Sequence, residues 1–464
     1  MSTPLHNPKG TRDFYPEAMA VRRYIEDTWR QVSIRHGFVE VDGPTFEYLD
    51  LYKIKSGDEI VSQLFHFEGR ADKEGQTDHF ALRPEFTPTL ARMVAAKANA
   101  LPRPIKWFSI PRCYRGEAPQ KGRGREFIQY NVDILGGDTP EVRRQFDIES
   151  AALCLAVLRE FGLSEKDVVL RYNDRQLVEH LFRVAGLTES QFAFGFYLLD
   201  RIGKLAPAQR TELYQQNNIA PAQRTFFEKL AGQQNPLTPA FWADLPEAQG
   251  VEEYCAAVRT AGSEVEATLA VMGFGPGWAQ YDASIVRGLA YYTGFVFEVG
   301  DTTGVLRAIA GGGRYDKLVE MFGGPSLPAI GFGMGDMVLQ VLLEEKKLLP
   351  ERLIPKPDVF VVNALDTTVA LQKLLAELRL GVFDPTTKAI TQPGLAASSS
   401  YKATKNIGKL LQEAAQSGAG VTVILAPEEY ARDAVKLKNM QTREECEVPL
   451  VELKQKLLAL RQSL

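Results

Sequence analysis

The sequence has few of the residues that build disulfide-linked or metal-binding domains. Among its 464 residues are five histidines and four scattered cysteines, Cys113, Cys154, Cys255 and Cys446. No two cysteines have the short spacing of a zinc site or a redox pair, and no HExxH pattern occurs. The sequence therefore indicates neither a disulfide framework nor a zinc enzyme, and it identifies no metal ligand.

Long apolar runs and a strong excess of one charge are also missing. The longest apolar stretches, such as Ala151 to Leu158, are far shorter than a membrane span, and the N-terminus MSTPLHNPKG lacks a basic-then-apolar secretion signal. The net charge of −4 argues against a general nucleic-acid coat but permits a local basic surface. We therefore expect a cytoplasmic protein with no membrane contact, and the chain length predicts two or three domains.

The most informative stretch is residues 111–137, PRCYRGEAPQKGRGREFIQYNVDILGG. Its second half alternates apolar and polar residues, which predicts a half-buried strand with Gln129 and Asp133 on the polar face. Arg115 and Glu117, two residues apart, would share a face of the preceding strand, so antiparallel pairing would set them beside that amide and carboxylate. The glycine-rich basic connection is typical of a phosphate-binding loop, although solvated surface charges give the same pattern.

Four further segments have patterns that suggest a site. If Ala81 to Thr89 is extended, Glu85 and Thr87 share a face with Arg83 before a helix that begins near Pro88; this pair suits an ammonium group, while Thr87 could equally cap the helix. Glycines occur in two strand-like segments, IVRGLAYYTGFVFEV and AIAGGGRYD, and in a predicted strand that runs into a helix, AIGFGMGDMVLQVLLEE. Glycine in a strand often marks a place where the backbone must come close to another group. Bends in a sheet would also explain these glycines.

The remaining chain supplies the framework. Met19 to His36 is predicted to be an amphipathic helix that is followed by a strand, Phe38 to Val41, and residues 163–273 are mostly helical. A proline-rich segment, Leu348 to Pro357, precedes a βαβ pattern typical of a small α/β domain.

These segments, in this order, resemble class II aminoacyl-tRNA synthetases, and YRGEAPQKGRGREFIQYNVDILG, LRPEFTP, RGLAYYTG and AGGGRYD resemble the histidyl-tRNA synthetases in particular. The resemblance implies an α+β catalytic domain with a mainly antiparallel sheet flanked by helices, a helical insertion that clamps the tRNA acceptor arm, and a small C-terminal α/β domain that binds the anticodon. The implied boundaries are 1–164 and 274–347 for the catalytic domain, 165–273 for the insertion, 348–357 for a linker and 358–464 for the last domain.

The resemblance also implies a function: activation of histidine with ATP and Mg²⁺, transfer to tRNA, and a homodimer formed through Met19 to Pro44. Catalytic roles at the α-phosphate fall to Arg115 and Arg287. Histidine would be bound by Glu85, Thr87, Gln129, Asp133, Arg287, Tyr291 and Tyr292. ATP would be bound by Arg115, Glu117, Arg123, Phe127 and Gly333. The tRNA acceptor end would pass over Pro119, Gln120, Lys121 and Arg123.

The sequence departs from the family pattern at three places. Phe86 replaces a glycine, Ala290 replaces an aspartate, and the arginine that usually lies on ATP near the start of the last helix is absent, with Asp336 and Met337 in that region. Two alternatives therefore remain: a histidine-binding regulatory paralogue that serves ATP phosphoribosyltransferase, which typically lacks the anticodon domain, and an RNA-binding relative without catalysis.

Overall fold

The computed structural model describes residues 5–56, 64–71, 73, 75–203, 205–286 and 291–461. The chain divides into two compact units, Met1–Glu351 and Arg352–Leu464. None of the helices in the described ranges is both long enough and apolar enough to cross a bilayer.

The strands of the first unit form a large sheet and a small one. In chain order they are β1 (Val39–Glu40), β2 (Phe46–Tyr48), β3 (His66–Glu68), β4 (His79–Leu82), β5 (Ile105–Ser109), β6 (Arg112–Tyr114), β7 (Glu126–Leu135), β8 (Val168–Asp174), β9 (Ala279–Tyr281), β10 (Phe295–Asp301), β11 (Ala310–Arg314) and β12 (Ala329–Gly335). As described, the large sheet has the order β1-β5-β7-β12-β11-β10-β8-β9, with β6 paired to β7, and the small sheet has the order β2-β4-β3. Only the outer pairs β1–β5 and β8–β9 of this described sheet are parallel, so the predicted mainly antiparallel sheet is confirmed.

Helices cover both faces of the large sheet. In chain order they are α1 (Pro16–Arg35), α2 (Leu49–Ser56), α3 (Thr87–Lys97), α4 (Pro140–Glu160), α5 (Arg175–Val184), α6 (Glu189–Arg201), α7 (Pro207–Gln216), α8 (Pro221–Ala231), α9 (Pro239–Trp242), α10 (Val251–Val271), α11 (Leu318–Met321) and α12 (Asp336–Glu345). Helices α1, α4 and α12 share a buried apolar cluster with the inward side chains of β7 and β12. On the opposite face α3 and α11 pack over the sheet, and the site described below lies on that face.

Helix α1 is anchored on β7 by aromatic packing. It begins at Pro16 and ends before Gly37, whose φ of +78° suits glycine. The Trp29 ring stacks on Tyr130 at 5.3 Å between centroids, and the Ser33 hydroxyl lies 2.6 Å from the Tyr130 hydroxyl. The helix starts three residues before the predicted Met19, and the strand after it is shorter than predicted.

Helices α5 to α10 build a second apolar core rich in phenylalanine. The segment AlaProAlaGlnArgThr occurs twice, and the two copies begin α7 and α8 with proline in the first turn. One prediction is wrong here, because Val168–Asp174 is not helical: it is β8, which pairs with β10 and β9 in the large sheet. Its apolar side chains are buried, a pattern that short strands and buried helices share.

The second unit is a small α/β domain, as predicted. Its strands are β13 (Val359–Asn363), β14 (Val382–Asp384), β15 (Ala389–Gln392), β16 (Ala397–Ser399), β17 (Val421–Leu425), β18 (Ala434–Asn439) and β19 (Glu445–Pro449). Its helices are α13 (Val369–Arg379), α14 (Ile407–Ser417), α15 (Pro427–Tyr430) and α16 (Leu450–Arg461). Strand β13 lies parallel between β16 and β17, β18 and β19 follow antiparallel, and β14 pairs separately with β15.

Candidate active site

A cavity of about 800 Å³ lies over β7, β12, β11 and β10. Its described wall is formed by Glu85, Thr87, Arg115, Gly122, Arg123, Gly124, Phe127, Gln129, Asn131, Tyr291, Tyr292, Glu298, Leu306, Arg307, Ala308, Ile309, Ala310, Gly311, Tyr315, Gly331, Phe332, Gly333, Gly335, Asp336, Met337 and Val338. Most of the predicted histidine and ATP residues therefore meet in one place. Across the described residues, no group of three or more His, Cys, Asp or Glu side chains could hold a metal ion by itself.

Arg115 occupies the end of the β6–β7 hairpin. Strand β6 ends at Tyr114, which pairs with Glu126, so Arg115 lies opposite Arg125 and not beside Gln129 and Asp133 as the sequence predicted. The long loop explains the difference, because it shortens the preceding strand. Arg115 donates from Nε to the carbonyl of Pro84 at 3.0 Å, and its guanidinium carbon lies 4.9 Å from the centre of the Phe127 ring. These contacts join the Arg115 segment to the Glu85 segment.

The polar face of β7 points toward the cavity. Gln129 donates from Nε2 to Oδ1 of Asn131 at 2.7 Å, and both side chains line the wall. The facing strand β12 carries glycine where these side chains cross: a Cβ on Gly333 would lie 2.7 Å from the Gln129 amide nitrogen, and one on Gly331 would collide with the Asp133 carboxylate. Glycine is therefore required at Gly331, where a Cβ would also lie 2.6 Å from the Val132 carbonyl oxygen, whereas a Cβ at Gly333 would displace only the end of the Gln129 side chain.

Asp133 lies behind the wall, where it is 2% exposed. Tyr315, which lines the cavity, donates its hydroxyl to Oδ1 of Asp133, and Oδ2 is buried with no hydrogen-bond partner in the described structure. Burial raises the pKa of Asp133 to about 7, and the charge of Glu85 adds to this, while the Tyr315 hydrogen bond opposes it. Asp133 is therefore a buried carboxyl group that would ionise near neutral pH.

Glu85, in the segment between β4 and α3, and Thr87, the first residue of α3, line the cavity. The condition for a shared face, an extended segment through Thr87, is not met, because the strand ends at Leu82 and Thr87 already belongs to α3. Thr87 does not cap that helix, since Phe86 is the N-cap residue. Arg83 faces away from the cavity, because its guanidinium binds the carbonyls of Arg112 and Gly43 and the carboxylate of Asp42.

The tyrosine pair of RGLAYYTG completes the wall above Tyr315. The ring centroids of Tyr291 and Tyr292 are 4.8 Å apart, and Tyr291 meets Tyr315 edge-on at 5.9 Å. Burial is the main cause that raises the pKa of Tyr291 and of Tyr315, so both phenols are neutral donors at physiological pH. The predicted catalytic residue Arg287 and the substituted Ala290 lie outside the described residues.

The basic loop Ala118–Arg125 folds over one side of the cavity. Arg123 lines the wall and forms an ion pair with Glu117. Lys121 binds Glu345 of α12 at 3.0 Å, and Gln120 accepts a hydrogen bond from Arg307 at 2.6 Å. Four predicted residues are not part of the described cavity wall: Glu117, Pro119, Gln120 and Lys121.

The start of α12 differs from what the family pattern implies. The Asp336 carboxylate accepts the Ile128 N–H at 3.0 Å and pairs with Arg12 at 2.5 Å. Burial raises the pKa of Asp336, while Arg12 opposes this shift. Met337 and Val338 add apolar surface to the cavity wall. The family pattern implies an arginine that lies on ATP at the start of this helix. The helix instead carries Asp336, whose ion pair with Arg12 is directed into the protein.

Among the polar wall residues, four were not predicted from the sequence: Asn131, Glu298, Arg307 and Tyr315. Tyr315 lies in AGGGRYD, and Asn131 lies on the polar face of β7, so the signal for these two was present. Glu298 and Arg307 had no local signal, since each reaches the cavity only through the pairing of β10 with β11.

Comparison with known proteins agrees with this geometry. A family model described as histidyl-tRNA synthetase matches residues 10–337, and one described as an anticodon binding domain matches residues 386–460. The chain is 40% identical over 447 residues to the histidine–tRNA ligase of Opitutus terrae, covering 95% of each chain. It is 34% identical to that of Leptospira biflexa over 97% of each chain.

Solved structures show the same fold. A histidyl-tRNA synthetase from Nostoc superimposes with a TM-score of 0.72 at 23% identity, covering 99% of this chain and 100% of that one. A Bacillus halodurans protein titled ATP phosphoribosyltransferase regulatory subunit/histidyl-tRNA synthetase superimposes with a TM-score of 0.62 at 22% identity, covering 89% of this chain and 97% of that one.

Proposed function

The chain belongs to the histidyl-tRNA synthetase family, and from that premise we propose how its cavity activates histidine and loads it onto tRNA. The observation that carries the proposal is the convergence of Glu85, Thr87 and Gln129 with Arg115 and Phe127 in one cavity. The first group suits an amino acid and the second a nucleotide. The protein is an aminoacyl-tRNA ligase, and histidine-dependent ATP–pyrophosphate exchange followed by charging of histidine tRNA tests this directly.

Histidine activation depends on positively charged side chains at the α-phosphate more than on covalent catalysis by the protein. The histidine carboxylate attacks the α-phosphorus of ATP, and pyrophosphate leaves from the opposite side. Arg115 would bind the α-phosphate, where charge develops, with donors that its contacts to Pro84 and Phe127 hold in place. Phe127 would stack on adenine, and Gly333 leaves room beside Gln129. Arg287 stays a proposal from the family pattern.

The ammonium and imidazole groups of histidine would be recognised by hydrogen bonds. Glu85, Thr87 and the carbonyl oxygen of Gln129 are acceptors for the ammonium group, and the Gln129 amide nitrogen is already used by Asn131. Tyr291, Tyr292 and the Tyr315–Asp133 pair would meet the imidazole edge. Oδ2 of Asp133, which is buried without a partner in the described structure, would accept an imidazole N–H.

Magnesium would accompany ATP into this cavity. Mg²⁺ commonly takes one or two carboxylates together with substrate phosphates, so a wall without a three-ligand cluster fits this ion. Glu298, which projects from β10, would be its protein ligand. When bound, Mg²⁺ neutralises phosphate charge.

Transfer to tRNA would use the loop beside the cavity. Pro119, Gln120, Lys121 and Arg123 would border the path of the acceptor end, and the helical insertion, α5 to α10, would clamp the acceptor arm. The second unit would bind the anticodon, as its family match suggests. Because charged tRNA is consumed in protein synthesis, we propose a cytoplasmic location.

The regulatory paralogue is the second candidate, since α12 lacks a cation over the nucleotide. A histidine-binding regulator would bind histidine without catalysing exchange. The match of residues 386–460 to the anticodon domain favours the synthetase.

Asp133→Asn should raise the KM for histidine about 10- to 100-fold and leave the KM for ATP nearly unchanged, because it removes a charged acceptor from a buried site. Since burial raises the pKa of Asp133 to about 7 and the carboxylate is the acceptor, the wild-type KM for histidine should fall as pH rises through about 7. Asp138→Asn, at an exposed position just after β7, is the matched control. If only the KM for ATP rises, Asp133 serves the nucleotide and this assignment is wrong.

We also propose a homodimer formed through α1 and β1. In the described sheet β1 is an edge strand, with Val39 62% exposed, and Ile34 is 58% exposed. The small sheet adds exposed aromatic side chains, Phe46, Tyr48 and Phe67, that cluster around Phe80.

Sedimentation at micromolar concentration should therefore give the mass of two chains. Val39→Asp should shift the protein toward single chains, whereas Val271→Asp, at an even more exposed position at the end of α10, should not. A wild-type protein that sediments as a single chain would show that this surface serves another purpose.

A further inference from the structure

Helix α12, which borders the proposed nucleotide end of the cavity, contributes no cation to it. The whole of α12, DMVLQVLLEE, contains no lysine or arginine, and its only charge near the cavity, Asp336, is held by Arg12 and the Ile128 N–H. The apolar side chains of Met337 and Val338 offer no charge to a phosphate. A triphosphate bound here needs positive charge from another element.

Arg307 is placed to supply it. It lies between β10 and β11, its side chain forms part of the cavity wall, and Nη2 donates to the neutral amide oxygen of Gln120 at 2.6 Å. Among the described residues it has no carboxylate partner. By contrast, the charge of Arg123 is balanced by Glu117.

The segment that carries Arg307 is held at both ends. The Asp301 carboxylate accepts the Val305 N–H at 3.2 Å, the Leu306 N–H at 2.9 Å and the Thr303 hydroxyl. After Arg307, the Ile309 N–H binds the Val299 carbonyl at 2.8 Å. The backbone that carries Arg307 is therefore held before a ligand arrives, and the hydrogen bond to Gln120 orients the exposed guanidinium, an arrangement that favours a charged contact.

The two wall arginines without carboxylate partners in the described chain are at different places. Arg115 binds the Pro84 carbonyl beside Glu85, where the amino acid and the α-phosphate would meet, whereas Arg307 contacts the loop at Gln120. We propose that Arg307 binds the distal phosphates of ATP, the part of the nucleotide that leaves as pyrophosphate, and so supplies the charge that α12 lacks. This inference rests on the proposed function of the cavity.

The test compares ATP with AMP in the full-length protein. Arg307→Ala should weaken ATP binding measured by calorimetry about 10-fold or more, because a charged hydrogen bond is lost, and should leave AMP binding unchanged since AMP has no distal phosphates. The KM for ATP in exchange should rise by the same factor, with the KM for histidine constant. Arg307→Lys should lose less than Arg307→Ala, because it keeps the charge without the planar fork. Arg259→Ala, on the exposed side of α10, is the control.

Three outcomes would overturn the assignment. Equal weakening of ATP and AMP would mean that Arg307 supports the cavity in general. Unchanged ATP affinity with slower tRNA charging would mean that Arg307 acts on the acceptor end through Gln120. Unchanged ATP affinity and charging would mean that it has neither role. Failure of the proposed function itself is distinguishable, because the wild-type protein would then show no histidine-dependent exchange at all.

Discussion

Arg115→Ala should lower the rate constant of histidine-dependent ATP–pyrophosphate exchange about 100- to 1,000-fold, the usual cost of removing a fixed donor aimed at developing charge. The structure supports an effect of this size because the guanidinium is positioned by the Pro84 carbonyl and the Phe127 ring, and no carboxylate among the described residues neutralises it. Its charge is thus available to a phosphate. We expect the loss in kcat more than in the KM for histidine, since the phosphate charge grows in the transition state.

Arg112→Ala is the matched control for this variant. Arg112 lies three residues earlier on β6, and its exposed guanidinium pairs with Glu126. Its removal should change exchange less than about twofold, because an exposed ion pair contributes little to stability. Thermal melting of both variants should be close to wild type. Exchange by Arg115→Ala at nearly the wild-type rate would remove Arg115 from the catalytic step.

The sequence predicted this residue but not its surroundings. Alternation on β7 correctly gave the buried face and the polar face, because a strand has a period of two. The register of β6 could not be predicted in the same way, since the long basic loop leaves the pairing unspecified. Alternation therefore predicted Arg115 beside Gln129 and Asp133, whereas it lies one residue beyond the end of β6, opposite Arg125.

Residues that meet through distant pairing were the hardest to predict. The contact of Tyr315 with Asp133 depends on β11 and β7 both flanking β12, and Arg307 approaches Gln120 only because β10 and β11 bring their connection to the cavity. No local sequence pattern predicts either contact. Strand β8 was missed for a related reason: its short apolar run fits a buried helix equally well until β10 and β9 are seen on either side.

Removing residues 352–464 should leave histidine-dependent exchange within a few-fold of wild type while lowering kcat/KM for tRNA about 100- to 10,000-fold. All described wall residues of the cavity lie between Glu85 and Val338, and the apolar cores of the two compact units are separate. A tRNA that engages two linked units gains affinity of roughly this factor over one that engages a single unit. The deletion removes that gain without changing the groups that bind histidine and ATP.

The comparison of the two activities makes this truncation informative. The cut after Glu351 keeps Leu348 and Leu349, which pack on the core of the first unit, so its thermal unfolding should remain cooperative. Adding the separate unit 352–464 in trans should not restore charging, because the advantage comes from linkage and not from the presence of the second unit. If exchange and charging fall together, the second unit supports the folded catalytic unit, and its assignment to tRNA selection is wrong.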